Sequence, residues 1–268
     1  MTTTKTAAAP HGTKEWAEHN VNIQTGCEHD CRYCYAKCMA VRFKRATPES
    51  WQEPVIRPAA ISKAYRKKPG RTMFPTSHDI TEANVDECLI ILKKLLSSSN
   101  DILIVSKPRI AVVERLIAEL EPYRDQITFR FSIGSASDDV LGFWEPGAPN
   151  FDERIRSLQL AHDSGFQTSV SCEPMLDRHI GRVIEAARPF VTDSIWLGKA
   201  NRLRCILALN CPDDDEVLAA AAQLIAWQSD DEIIALYERC RHDPIIKWKD
   251  SIKKVVGIDR PTEAGLDV

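Results

Sequence analysis

The sequence lacks a long apolar segment, since no run in its 268 residues approaches the roughly 20 apolar residues that span a bilayer. Residues 1–14 are rich in Thr and Ala and lack the apolar core of a secretory signal. A repeat of fixed period and a low-complexity tract are also missing. We therefore expect a cytoplasmic protein with no membrane partner, whose first 14 residues form a flexible tail.

The sequence also carries little net charge, and the formal value of −3 gives no global attraction to nucleic acid or an anionic membrane. One segment departs from this balance: between Arg42 and Arg71, nine basic residues stand against two acidic ones, with Trp51 and Tyr65 among them. Basic side chains contact phosphates and aromatic rings stack on bases, so residues 42–71 suggest a nucleic acid or phosphorylated partner. A solvated linker explains the same composition, and both interpretations stay open.

Nine cysteines are many for such a protein. A disulfide framework is typical of short secreted chains, and an odd number cannot pair completely. Clustered cysteines in a reducing compartment are more often metal ligands or reactive groups. Four of the nine, Cys27, Cys31, Cys34 and Cys38, fall within twelve residues, so the chemistry is expected there.

Three of these cysteines have the spacing C-x3-C-x2-C. Thiolates of Cys27, Cys31 and Cys34 can hold three irons of a cubane cluster and leave the fourth iron open to a small molecule. An open coordination position is the mark of a catalytic metal centre. The alternative is a tetrahedral zinc site closed by Cys38 or His29, although the second C-x2-C pair usual in zinc sites is missing.

Strand-like and helix-like segments alternate over residues 20–200. Short runs rich in β-branched residues predict six strands, at 19–25, 71–77, 101–107, 126–134, 166–174 and 193–199. Helical patterns lie between them, at 84–96, 110–120, 151–164 and 180–190. This alternation predicts an α/β fold with a parallel sheet or partial barrel and right-handed crossovers.

The domain prediction follows from the same pattern. Residues 15–200 form the barrel, and residues 201–258 form a C-terminal helical cap that completes the core. Three consecutive helices are predicted within the cap, at 213–228, 230–241 and 245–256. The polar segment 259–268 is predicted to be frayed.

Functional groups of parallel α/β folds gather at the carboxyl ends of the strands. Cys27, Ser77, Lys107, residues 132–135 and Glu173 occupy these positions in the predicted topology. Lys107 offers a fixed positive charge for a carboxylate, and Ser77 and Ser132 offer short hydroxyls. A solvated lysine and loop-capping serines are the plainer explanations, and they stay open.

The cysteine spacing, with the aromatic Tyr33 before the last cysteine, resembles the radical S-adenosylmethionine (SAM) superfamily. The resemblance implies a partial (β/α)6 TIM-type barrel with a C-terminal helical extension. It also implies a 4Fe–4S cluster on Cys27, Cys31 and Cys34, whose open iron binds the methionine moiety of SAM. The reduced cluster would then break a carbon–sulfur bond and release a 5′-deoxyadenosyl radical. Tyr33 would pack near the adenine.

Within the superfamily, residues 20–199 resemble the branch of spore photoproduct lyase. Thr76-Ser77-His78-Asp79 matches a Ser-Asp motif, which implies that Ser77 and Asp79 contact the methionine amino group. Val105-Ser106-Lys107 implies a lysine at the methionine carboxylate, and Phe131-Ser132-Ile133-Gly134-Ser135 places Ser132 and Ser135 at the cofactor. The run Glu145-Pro146-Gly147-Ala148-Pro149, followed by Arg154 and Gly165, completes the match.

The sequence departs from the lyase at one place. The lyase has a hydrogen-donating cysteine before its Ser-Asp motif, where this chain has Pro75, and this argues against photoproduct repair. Cys172 and Glu173, at the end of the fifth predicted strand, are the candidate catalytic residues. A buried small side chain at Cys172 and a salt-bridged structural carboxylate at Glu173 are the alternatives.

The sequence therefore predicts a radical SAM enzyme that acts on an unknown substrate, with an external electron donor such as flavodoxin or ferredoxin. Two other functions stay open. The same cysteines could serve a zinc-binding nucleic-acid module, or a cluster-bearing electron carrier or sensor that never cleaves SAM.

Overall fold

The computed structural model describes residues 10–266, which fold around a parallel sheet. In chain order the strands are β1 His19–Asn20, β2 Gln24–Thr25, β3 Val55–Ile56, β4 Arg71–Phe74, β5 Asp101–Ser106, β6 Ile127–Ser132, β7 Gln167–Cys172, β8 Ile195–Leu197 and β9 Ile246–Trp248. Seven of them form one sheet in the order β1-β4-β5-β6-β7-β8-β9, and every pairing in it is parallel. The α/β partial-barrel prediction is confirmed, with one strand more than the six expected.

Helices connect the strands. They are α1 Tyr35–Arg42, α2 Pro58–Ser62, α3 Val85–Ser97, α4 Ile110–Leu120, α5 Asp138–Trp144, α6 Phe151–Asp163, α7 Ile180–Ala187, α8 Leu203–Asn210, α9 Asp215–Trp227, α10 Asp230–Cys240 and α11 Asp250–Val256. No helix among the described residues is long and apolar enough to cross a membrane.

Both faces of the sheet are buried, and the strands alternate between two environments. The outer face packs Ile104, Phe129 and Val170 against the helices in the main core. The inner face carries Leu103 and Trp196, which pack with residues of the N-terminal segment. A side chain's position in the strand therefore decides whether it faces the helices or the interior of the partial barrel.

The last strand corrects a prediction. Residues 245–256 were expected to form one helix, but β9 pairs in parallel with β8, and α11 begins only at Asp250. Ile246 and Trp248 enter the core, whereas Lys247 between them is only half-buried. This period of two is the strand pattern. The region after residue 201 therefore contributes a strand to the sheet as well as helices.

The first strand also differs from its prediction: residues 19–25 were expected to form one strand, but they form two short strands. β1 pairs with β4, whereas β2 pairs in antiparallel fashion with β3 in a separate two-stranded sheet. Asn22 lies between them, and its Oδ1 accepts hydrogen bonds from the backbone N–H groups of Thr76 (2.7 Å) and Ser77 (2.9 Å). These bonds turn the chain away from the main sheet just before the cysteines.

The predicted loose ends are held in place where the structure describes them. Residues 12–15 form a 3-10 helix, and the carbonyl of Gly12 accepts a hydrogen bond of 2.9 Å from the Nζ of Lys249. The N–H of Gly265 donates to the carbonyl of Lys14 at 2.9 Å. Hydrogen bonds to backbone carbonyls therefore tie residues near both ends together, against the predicted flexible and frayed tails. Residues 1–9 and 267–268 of those predicted tails lie outside the described residues.

His78 provides a test of the fold by pH. Its Nε2 accepts from the N–H of Ile23 at 3.1 Å, its Nδ1 lies 2.9 Å from the carbonyl of Asp79, and burial lowers its pKa to about 4. The unfolded chain binds a proton near pH 6.5, whereas the folded chain does not until about pH 4. The free energy of unfolding should thus fall by about 1.4 kcal/mol for each pH unit as the pH is lowered through this interval.

The comparison is with His78→Gln, because the Gln amide oxygen can accept from Ile23 without titrating. Urea unfolding of both proteins between pH 7 and pH 4 should give a steeper loss of stability for the wild type. Parallel pH profiles would show that His78 does not titrate as proposed.

Candidate functional site

The three motif cysteines lie on the cluster loop, which we define as residues 26–34, between β2 and α1. Gly26 begins the loop with a φ of +93°, and a Cβ there would lie 2.8 Å from the carbonyl oxygen of Trp51. Only glycine suits this conformation and this close approach. The loop therefore begins with a turn that the sequence fixes locally.

The cysteines differ in exposure. Cys27 and Cys31 are buried, Cys34 is partly exposed, and none is in a disulfide. Burial, together with Asp79 and Cys34, raises the pKa of Cys27 to about 12. Cys34 is the N-cap of α1, and its Sγ accepts a hydrogen bond from the N–H of Lys37 at 3.3 Å. Burial raises the pKa of the Cys34 thiol, although this hydrogen bond and the charge of Lys107 act in the opposite direction.

Asp79 connects the cluster loop to the ends of two strands. Its Oδ1 accepts from the N–H of Ile80 at 2.8 Å and from the hydroxyl of Ser106, and its Oδ2 accepts from the N–H of Lys107 at 2.9 Å. The Nδ1 of His29 lies 3.2 Å from the same Oδ2. Burial would raise the pKa of Asp79, but His29 and these donors hold it well below its usual value. Asp79 was predicted to contact the methionine amino group of SAM, but both of its carboxylate oxygens are thus occupied by protein groups.

His29, between the first two cysteines, was considered in the sequence only as a zinc ligand. Its side chain is buried, and its Nε2 has no hydrogen-bond partner among the described residues. A buried ring nitrogen without a partner is rare, whereas a histidine held by a carboxylate on its other nitrogen is the usual arrangement beside a metal centre. This nitrogen is an observation that fits a bound group at the loop.

A buried charge cluster lies against the loop. Glu145 accepts a hydrogen bond from the hydroxyl of Tyr33, and its Oε2 lies 2.6 Å from the Nη2 of Arg154. The same arginine donates to the carbonyls of Pro149 (2.8 Å) and Ser132 (3.1 Å). Burial would raise the pKa of Glu145, but Arg154 and its other partners lower it. This ion pair therefore fixes Tyr33 and the end of β6.

Lys107 completes this cluster from the end of β5. Its Nζ lies 3.9 Å from the Oε1 of Glu145 and 5.8 Å from the centre of the Tyr33 ring, and its side chain is 15 % exposed. Burial alone would lower the pKa of Lys107, but the acidic groups around it, Cys31 foremost, raise it well above its usual value. A protonated ammonium group therefore stands beside the second motif cysteine.

The predicted serines have separate surroundings. Ser77 and Ser132 are both half-buried, at the ends of β4 and β6, and the hydroxyl of Ser77 has no hydrogen bond among the described residues. Ser135 is fully buried, where its hydroxyl donates to Asp177 and accepts from the N–H of Ser137 at 2.9 Å. The contacts of Ser135 are those of a loop-forming residue.

The two catalytic candidates point to opposite faces of the sheet. Cys172 is buried in the core between sheet and helices, so its prediction as a catalytic residue is corrected: its strand position directs it away from the interior. Glu173 follows it toward the inner side, where its Oε2 lies 3.2 Å from the Nζ of Lys249 and its side chain is 21 % exposed. Burial, chiefly, raises the pKa of Glu173.

Lys249 was missed by the sequence analysis, because it follows a strand that was predicted as a helix. It is fully buried, and its Nζ lies 3.0 Å from Oε1 of Glu15 and 3.8 Å from the centre of the Trp16 ring. Glu15 precedes β1 and Lys249 follows β9, the two edge strands of the sheet. This ion pair joins the two edges without a strand pairing.

The basic stretch is less open to a partner than its composition suggests. Trp51 is buried and packs against Cys27 and Ala40, so it cannot stack on a base. Arg57 donates to the carbonyl of Asn22 at 2.6 Å, and the Nζ of Lys67 lies 3.6 Å from Asp101. Part of residues 42–71 therefore supports the fold.

The donor set of the loop fits an iron–sulfur cluster. Within residues 10–266, no three His, Cys, Asp or Glu side chains converge on a point that could hold a single metal ion. A cubane does not require such convergence, because each thiolate binds a different iron. Three unpaired thiols on one loop and the free Nε2 of His29 are the observations that fit.

The chain is similar to known proteins in sequence. The sequence model of the Radical SAM superfamily matches residues 21–187, more than half of the chain. The chain is also 26% identical over 172 residues to the uncharacterized protein ORF301 of Acidianus two-tailed virus. That alignment covers 60% of this chain and 56% of the relative, so the chain spans little more than half the length of the viral protein.

Two solved structures have a similar fold. A spore photoproduct lyase complexed with a dinucleoside spore photoproduct has a TM-score of 0.56 at 14% identity, over 91% of this chain and 79% of that chain. SuiB of Streptococcus suis, bound to S-adenosylmethionine, has a TM-score of 0.52 at 10% identity, over 92% of this chain and 54% of that one. At such low identity these likenesses concern the fold alone.

The buried ion pair allows a test on α6. Arg154→Met leaves the Glu145 carboxylate buried without its main partner, and removing one partner of a buried pair should destabilise the protein by about 3 kcal/mol. Arg156→Met is the matched control, because that exposed side chain lies 3.8 Å from Asp152 and such pairs contribute about 0.5 kcal/mol or less. Urea unfolding of the cluster-free proteins measures both changes, and equal losses would contradict the assignment.

Proposed function

This chain belongs to the radical SAM superfamily, and we propose that it cleaves SAM reductively at a 4Fe–4S cluster bound by Cys27, Cys31 and Cys34. When bound, the cluster supplies the electron that breaks a carbon–sulfur bond of SAM, which gives a 5′-deoxyadenosyl radical that abstracts hydrogen from a substrate. The rest of the proposal concerns what the protein's own side chains do around that reaction.

The observation that carries the proposal is the position of Lys107 beside the cluster loop. Its ammonium group is almost buried, near Cys31 and Tyr33, and the nearest carboxylate, on Glu145, lies 3.9 Å away. Glu145 is already paired with Arg154 at 2.6 Å, so the charge of Lys107 is only partly compensated. A second carboxylate, that of the methionine moiety of SAM, would complete this compensation.

The neighbouring residues have different proposed roles. Ser77 keeps a free hydroxyl at the end of β4 and is the candidate for the methionine amino group, and Ser132 offers a second hydroxyl at the end of β6. Asp79 has protein partners on both oxygens, so we assign it to holding the loop and not to contact with SAM. Tyr33, whose hydroxyl is bound to Glu145, presents its ring to the adenine.

The substrate is proposed only by class. Pro75 stands near the place where the lyase has its hydrogen-donating cysteine, and Cys172 is in the core, so photoproduct repair is not proposed. Glu173 is the remaining catalytic candidate on the inner side, where it could contact a polar substrate group. A nucleic acid or phosphorylated substrate reached through residues 42–71 stays a hypothesis, without Trp51 as a stacking residue.

The test is anaerobic incubation of the iron- and sulfide-reconstituted protein with dithionite and SAM, followed by chromatography for 5′-deoxyadenosine. We expect a brown protein that releases this product. Cys31→Ala should lose the cluster and all release, and retained release would reject the ligand assignment. A colourless protein that contains zinc would favour the nucleic-acid module, and a brown protein that leaves SAM intact would favour a carrier or sensor.

A second variant tests the role of Lys107. Lys107→Met keeps the cysteines and should keep the cluster, but it removes a charged partner that contributes about 1.5–3 kcal/mol to binding, so the Kd for SAM should rise by about 10-fold to 100-fold. Equilibrium dialysis of the oxidised, cluster-loaded protein with labelled SAM measures this. Lys93→Met on the exposed side of α3 is the control and should bind SAM as the wild type does. Unchanged binding by the Lys107 variant would remove the carboxylate contact from the proposal.

A further inference from the structure

A solvent-exposed surface joins α1 to α8 beside the cluster loop, and we call it the α1–α8 platform. It contains a groove of about 270 Å³ lined by Tyr35, Cys38, Met39, Arg42, Arg202, Cys205, Ile206 and Leu209. The aromatic rings of Tyr35 and Phe43 are 60 % and 58 % exposed. Exposed aromatic rings next to an apolar groove are typical of protein–protein contact surfaces.

The platform is also positively charged. Arg42 and Arg45 hold their guanidinium carbons 6.0 and 5.8 Å from the centre of the Phe43 ring, and Arg202 lines the groove from α8. All three side chains are exposed, and no carboxylate of residues 10–266 forms an ion pair with them. The surface therefore concentrates uncompensated positive charge on a protein whose formal net charge is −3.

Both helices of the platform are attached directly to the cluster loop. Cys34, the least buried of the three motif cysteines, is the N-cap of α1, and Tyr35 follows it. From α8, the Nδ2 of Asn210 donates to the carbonyls of Arg32 (2.8 Å) and Cys34 (2.9 Å). Because α1 has eight residues, at 1.5 Å of rise each it is about 12 Å long, so its last residue, Arg42, lies within about that distance of Cys34.

We propose that the α1–α8 platform docks an acidic one-electron carrier protein, which delivers the electron to the cluster. This rests on the proposed function, since an electron carrier has a use at this surface only if Cys34 holds a redox cluster. The step is a single electron transfer: the carrier is oxidised by one electron, the cluster is reduced by one, and no bond forms or breaks. The unpaired guanidinium groups would attract and orient the carrier, and the aromatic rings would pack on it.

A nucleic acid is the competing occupant, and the geometry favours it less. A substrate has to reach the almost buried side of the loop, beside Lys107 and Tyr33, whereas an electron carrier needs only to approach the cluster from solvent. Trp51 is buried, so Phe43 is the strongly exposed aromatic residue of the basic stretch, and it lies beside the groove. The groove itself is lined mainly by apolar side chains beside Arg42 and Arg202, whereas grooves that bind single-stranded nucleic acid are positively charged along their length.

The experiment uses the cluster-loaded protein and a reduced flavodoxin, an acidic carrier, as the probe. Stopped-flow absorbance of the flavin under anaerobic conditions gives the second-order rate of electron transfer to the cluster. The double variant Arg42→Glu with Arg202→Glu should lower this rate at low salt by at least about tenfold, and the difference from wild type should shrink as salt is added. Reduction by dithionite should be unchanged.

The matched control is Arg182→Glu with Arg239→Glu, which changes the net charge equally at two exposed positions on α7 and α10. It should be reduced by flavodoxin almost as fast as the wild type. A platform variant that accepts electrons from flavodoxin at the wild-type rate overturns the proposal. So does a protein that takes up no cluster, which overturns the proposed function too.

Two further outcomes separate the hypotheses. A cluster that dithionite reduces but that leaves SAM intact overturns the proposed function alone, because the flavodoxin rates still test docking. Fluorescence anisotropy of a labelled single-stranded oligonucleotide tests the competing occupant. Binding that the platform substitutions abolish, with flavodoxin rates unchanged, would assign the surface to nucleic acid and overturn the docking proposal.

Discussion

The buried carboxylate of Asp79 is the constraint on which the arrangement of the site depends. A carboxylate removed from water needs donors on both oxygens, and this one finds them in the cluster loop, at the end of β5 and in its own turn after β4. The carboxylate can be satisfied only if these three segments meet at one place. The position of Lys107 beside the cysteines follows, since its backbone N–H is one of the donors. A residue that family resemblance assigns to the cofactor thus acts here as the joint between two strands and a loop.

Features that depend on nearby residues were predictable from the sequence. The cysteine motif, the turn at Gly26 and the long strands β5, β6 and β7 are encoded in spacing and alternation within a few residues. The face of the sheet to which Cys172 points was also predictable, because Val170 and Cys172 alternate with Ser169 and Ser171, and the apolar pair belongs to the core.

The predictions that were wrong concern features that local patterns do not encode. β9 has three residues and follows a helical segment, so its alternation is too short to be distinguished from a helix. The pairing of Glu15 with Lys249 joins residues that no local pattern relates.

The cluster loop has two unlike sides, and the division explains the distribution of charge in the site. On the interior side, nearly every charged group is compensated: Arg154 holds Glu145, and Asp79 has hydrogen-bond donors on both carboxylate oxygens. Lys107 is the exception, with its partner at 3.9 Å. On the solvent side, the guanidinium groups of α1 and α8 have no acidic partner in the described part of the chain. A buried charge without a partner is unfavourable, whereas an exposed charge is tolerated in water. The fold can therefore keep several unpaired guanidinium groups on the solvent side to attract a large partner, but only one incompletely paired charge, that of Lys107, on the interior side.

The ion pair between Glu15 and Lys249 also limits where the chain can be cut. Fragment boundaries are often placed just before the first strand, which here would be at residue 18 or 19, and just after the last helix. The first cut would leave the fully buried Lys249 ammonium without Glu15, and the carbonyls of Gly12 and Lys14 would no longer hold Lys249 and Gly265. A shortened gene product of this kind would expose the seam between β1 and β9 and is expected to be poorly soluble. Conversely, because residues 14 and 265 are hydrogen-bonded, a short peptide linker between these two positions could give a circularly permuted protein that opens at a surface loop elsewhere.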